Sequence, residues 1–94
     1  MELLNRREFD KLVIAGEVSA LQAIQVKEGI CMVAKKNNTN AAYMLQRSDL
    51  KPYLWKHVTG PLSYAESRGR AELTFLFREN QSVNDILSEG VKSA

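Results

Sequence analysis

Three apolar runs, each closed by polar turn residues, set the pattern of this chain. Leu21–Val26 is followed by Lys27-Glu28-Gly29, and Ile30–Ala34 by Lys35-Lys36-Asn37-Asn38-Thr39-Asn40. Ala41–Leu45 completes the set. Ile30–Ala34 is continuously apolar, as in a strand buried on both faces. It needs a strand on each side and a covering layer above and below. Asparagine tolerates positive φ and bonds its own backbone, so residues 37–40 read as a tight turn. Together the runs predict a three-stranded antiparallel meander, with Gly29 as the left-handed residue of a three-residue hairpin loop. Residues 18–28 also fit a helix, capped by Ser19 and Gln22 and ended by Gly29. The strand reading is preferred because it supplies the second neighbour that Ile30–Ala34 requires.

The flanking pattern changes period. Phe9, Leu12 and Val13 fall at helical spacing, with Asn5 and Glu8 placed as a capping-box variant and Leu4 and Phe9 as a hydrophobic staple. Gly16 is the C′ residue, so a helix is predicted from about Arg6 to Ala15. Tyr53–Val58 holds strong β-formers behind Pro52, which predicts an edge strand, with His57 on it. Thr59 or Gly60 then caps a helix with Pro61 at N1. Its apolar positions run through Leu62, Ala65, Leu73 and Leu76, which predicts one helix over 61–78, weakened at Gly69. The competing reading stops that helix near Gly69 and makes 71–77 a strand. Ser82 and Asp85 open a last short helix towards Gly90. The expected fold is α+β: a small antiparallel meander of three to four strands on two or three helices, in a single domain with residues 90–94 as a frayed tail.

Ninety-four residues suit one modest core. The 45% apolar and 26% charged content is that of an ordinary globular chain. The net charge of +2 is small for a dedicated nucleic-acid binder. Charged residues interrupt the N-terminal region, which does not read as a signal peptide, and no apolar run approaches the ~18 residues of a membrane span. A single cysteine, Cys31, fits a reducing compartment, most simply a bacterial cytoplasm.

One histidine and one cysteine leave little for a metal site or a nucleophile–base pair. Cys31 lies in an apolar run, where thiols are inert. No phosphate-loop or dinucleotide glycine motif is present. No catalytic residue, cofactor or metal is therefore expected. The expected function is a non-catalytic protein-interaction or regulatory module that associates with itself or with another protein. Tyr53, Leu54 and Trp55 form its candidate interface beside an open sheet edge. Phe75, Phe77, Val83, Ile86 and Leu87 offer a second apolar surface, for the core or for a partner. The alternative is a nucleic-acid binder that uses Lys35, Lys36, Asn37 and Asn38 at a hairpin tip together with Arg68 and Arg70.

Overall fold

The structure, a computed structural model, describes residues 1–89. Its elements are β1 (Glu2–Leu4), α1 (Arg6–Ile14), β2 (Val18–Val26), β3 (Gly29–Lys36), β4 (Ala42–Leu45), α2 (Thr59–Ser67), β5 (Thr74–Phe77) and α3 (Val83–Leu87). The expected frayed tail lies outside the described residues. Five strands form one sheet in the order β1-β4-β3-β2-β5. The expected meander is its centre: β2 pairs antiparallel with β3, and β3 with β4. β1 joins β4 and β5 joins β2, both in parallel. The sheet is therefore mixed and five-stranded rather than a purely antiparallel meander, and only β3 runs against the rest.

β3 occupies the centre that its apolar run requires. Cys31, Val33 and Met44 lie in one apolar layer with Val83 and Ile86 of α3. Met32, Ala34 and Leu45 lie in the other, with Phe9 and Val13 of α1 and Tyr64 and Ala65 of α2. The alternation follows the two-residue period of a strand. Asn5 caps α1 by accepting from the Glu8 N–H at 2.9 Å. Asn38 takes φ +58° in the β3–β4 turn. Gly29 has a different task from the one expected. Lys27-Glu28 form a two-residue loop between paired Val26 and Gly29, and a Cβ on Gly29 would lie 2.8 Å from the Trp55 carbonyl oxygen. The glycine admits a neighbouring backbone rather than making the turn.

Two expectations are corrected. The helix predicted over 61–78 ends at Ser67. Gly69 takes φ +75°, its N–H donates to the Glu66 carbonyl, and the Arg70 N–H donates to the Ala65 carbonyl. Those two bonds are a Schellman stop. Beyond it Thr74–Phe77 becomes β5. Pro61 is the third helical residue, still in the first turn, where a missing N–H costs nothing. Tyr53–Val58 is not a strand, and His57 is simply exposed. Trp55 makes one bridge to Ile30, with N–H···O distances of 2.8 and 2.9 Å each way. β4 is too short to reach Ile30, so Trp55 supplies that missing contact, while the Tyr53 N–H donates to the Leu45 carbonyl at 2.9 Å.

Candidate functional site

The expected interface residues sit where the segment after β4 crosses the end of β3. Their side chains alternate as in a strand. Tyr53 and Trp55 pack against the α1–α2 layer and Leu54 against the α3 layer, all three half-buried. The two rings lie 4.7 Å apart, and Trp55 meets Tyr64 of α2 edge-on at 6.1 Å. The indole also lies over Gly60, where a Cβ would come within 2.1 Å of Trp55 Cδ1. Most of this aromatic surface is already engaged within the chain.

Charged groups surround the same cluster. The Arg68 guanidinium lies over the Tyr64 ring at 4.1 Å and donates to Asp10 Oδ2 at 3.1 Å. Tyr64 donates its phenolic O–H to Asp10 Oδ1. Burial and the Asp10 bond push the Tyr64 phenol far above its usual range. The Asp10 bond likewise raises Arg68. At neutral pH the phenol is protonated and the ion pair is closed, so the three residues tie α1 to α2. Burial pushes the Cys31 thiol up to about 11, which makes it a core group. Among the described residues no group of three or more His, Cys, Asp or Glu is placed to hold a metal ion. No helix among them is long and apolar enough to cross a membrane.

The residues of the alternative reading are divided. Lys35 and Lys36 are the last two residues of β3, paired with Ala20 and Val18 of β2, and Asn37 and Asn38 open the turn to β4. Asn37 is tied to the α1–β2 loop, donating its side chain to the Gly16 carbonyl and its N–H to the Glu17 carbonyl. Arg70 donates to the Val18 carbonyl at 3.2 Å, and Val18 pairs with Lys36, so Arg70 shares that end of the sheet. Arg68 is held away from the tip by Asp10 and Tyr64.

A second surface is more open than any of these. β5 is an edge strand reading Thr-Phe-Leu-Phe, without the charge or proline that usually protects an edge. In its parallel register, Ile24 opposite Leu76, the Arg78 N–H donates to the Gln25 carbonyl. By alternation, Thr74, Leu76 and Arg78 direct their backbone groups towards β2, while Phe75 and Phe77 direct theirs outward. No hydrogen bond among the described residues engages those outward groups. The Phe77 side chain is 73% exposed and Phe75 half-buried, whereas Leu76 packs into the α3 layer. Of the second apolar surface expected from the sequence, Val83 and Ile86 belong to the core and Phe77 remains outside. The opposite edge, β1, has three residues and begins with Glu2.

Comparison with known family models, curated proteins and solved structures finds no match for this chain.

Proposed function

We propose that this chain is a non-catalytic interaction module that associates with a second copy of itself along β5. The observation that carries this reading is the unpaired β5 edge with its exposed Phe77. An antiparallel pairing about a two-fold axis is self-complementary. With Leu76 opposite Leu76 of the second copy, Phe75 falls opposite Phe77 and exchanges both backbone hydrogen bonds with it. The two-fold axis repeats this exchange, giving four bonds. Two phenylalanine pairs form on one face of the joined sheet. On the other face, Arg78 lies diagonal to the second copy's Glu72, within reach of long side chains.

Light scattering over a concentration series tests this reading. A dimer that dissociates on dilution is expected, and a strict monomer at the highest concentration would sink it. The nucleic-acid reading has one supporting observation, the gathering of Lys35, Lys36 and Arg70 at one end of the sheet. Titration with DNA at two salt concentrations tests it, because phosphate neutralisation must weaken as salt rises.

A further inference from the structure

A separate cleft opens beside the first turn of α1 and has a volume of about 590 Å³. That lies within the size range of small-molecule pockets. Arg6 and Arg7 from α1 and Arg47 from the loop after β4 all line it, and no acidic residue does. Three arginines thus line one cavity in a chain whose whole net charge is +2. The two apolar side chains of the lining are Leu50, 74% exposed, and Tyr53.

This arrangement runs against local electrostatics. Adjacent arginines at the first two positions of a helix put two positive charges at the positive end of the helix dipole, where anions are favoured. Arg6 is partly compensated by lying over Tyr53 at 5.2 Å and Tyr64 at 5.9 Å. Arg47 has an exposed pair with Asp49 at 3.1 Å, which a competing anion can displace. Arg7 makes no ion pair or ring contact among the described residues. Local rules are commonly broken where a ligand restores the balance. Guanidinium groups match phosphate oxygens in bidentate geometry better than any other side chain does.

We infer that this cleft binds a small phosphate monoester, with the phosphate against Arg6, Arg7 and Arg47 and an apolar body against Leu50 and Tyr53. This is independent of pairing along β5.

Calorimetric titration of the full chain with phenyl phosphate, inorganic phosphate and phenol tests it. Arg7→Gln and Arg47→Gln serve as variants, since both side chains are exposed and lie outside the core; thermal melts verify that they fold. Phenyl phosphate is expected to bind at one site, more tightly than inorganic phosphate and with phenol silent. Each substitution is expected to weaken it by about 10- to 100-fold, the effect of losing one charged hydrogen-bonding group. No saturable binding, or binding that both variants retain, overturns the assignment. Equal affinity for phenyl phosphate and inorganic phosphate overturns the apolar part. A phosphate at a lipid surface has the same chemistry, so vesicles containing phosphatidic acid form a further arm. Arginine-dependent vesicle binding without phenyl phosphate binding overturns the small-molecule occupant.

Discussion

Replacing Phe77 by lysine separates the fold from the association. In the single chain the Phe77 side chain is 73% exposed, so most of its apolar surface is free to be covered by a partner. Exposed substitutions of this kind change stability by about 0.5 kcal/mol or less. In the paired edge each chain's Phe77 lies against the other chain's Phe75, so one substitution removes two contacts. Fully burying a phenylalanine stabilises by about 1.5–3 kcal/mol, so covering about half of each of the two Phe77 rings gives about 1.5–3 kcal/mol per dimer. That corresponds to a dissociation constant weakened by about 12- to 150-fold. Lysine is chosen over alanine because an edge charge also opposes re-pairing in a shifted register. Sedimentation velocity over about 1–200 µM reads the association, since self-association follows mass action. Thermal denaturation at the lowest concentration reads the fold. The expected result is a lysine variant that melts like the parent and sediments as a monomer where the parent is dimeric. A variant that dimerises as tightly as the parent refutes the β5 assignment. A variant that loses its cooperative melt refutes the claim that Phe77 lies outside the core.

Two further outcomes test the interior. Gly60→Ala forces the Trp55 indole to move, because the new Cβ would lie 2.1 Å from Cδ1; overpacking of about 1–3 kcal/mol exceeds the helix-propensity gain of up to about 1 kcal/mol. A net loss of about 1–2 kcal/mol lowers the melting temperature by about 4–16 °C in a domain of this size, and an unchanged or raised melting temperature counts against the indole packing. Cys31, with its thiol raised from 9.0 to about 11, gives an alkaline signature. Below pH 9 both folded and unfolded thiols are protonated, and between pH 9 and 11 only the unfolded one ionises. Stability is therefore lost as pH rises, by about 2 kcal/mol at pH 10.5 from this group. Urea titrations at pH 8 and 10.5 are expected to show the gap between parent and Cys31→Ala narrowing by that amount, and a constant gap would exclude a buried thiol.

The centre of the sheet was legible because its signals are local. Ile30–Ala34 is an unbroken apolar run, Asn37–Asn40 is a turn in any context, and Asn5 with Glu8 marks a helix start within four residues. The edges were not legible, because their pairing is not local. β1 has three residues, too few for a two-residue period to register, and its partner Tyr43–Leu45 lies about forty residues away. Tyr53–Trp55 has the composition and alternation of a strand but makes one bridge, to Ile30, and one further bond, from the Tyr53 N–H to the Leu45 carbonyl. Composition alone does not distinguish one bridge from a ladder. The arginine cleft was invisible for a related reason: Arg6 and Arg7 lie off the apolar stripe of Phe9, Leu12 and Val13, and nothing near Arg47 in sequence points towards them.

The candidate interface turned on one residue. The sequence carries the same signal at Gly16 and at Gly69, a glycine after helical periodicity, and both take φ near +75° in the structure. At Gly16 the apolar spacing stops with the glycine, so the helix end is unambiguous. At Gly69 the apolar spacing continues by coincidence through Leu73 and Leu76, and the periodic pattern masks the stop. The consequence reaches the sheet edge. A helix continuing to Arg78 would leave β2 as the outermost strand. The left-handed turn at Gly69 instead redirects the chain so that Thr74–Phe77 lies beside Gln22–Gln25. The exposed edge becomes Thr-Phe-Leu-Phe, and its two outward-facing residues are both phenylalanine. The strand proposed for self-association therefore exists only because α2 ends where it does. Tyr53 and Trp55 pack against the α1–α2 layer and Leu54 against the α3 layer, and all three remain half-buried.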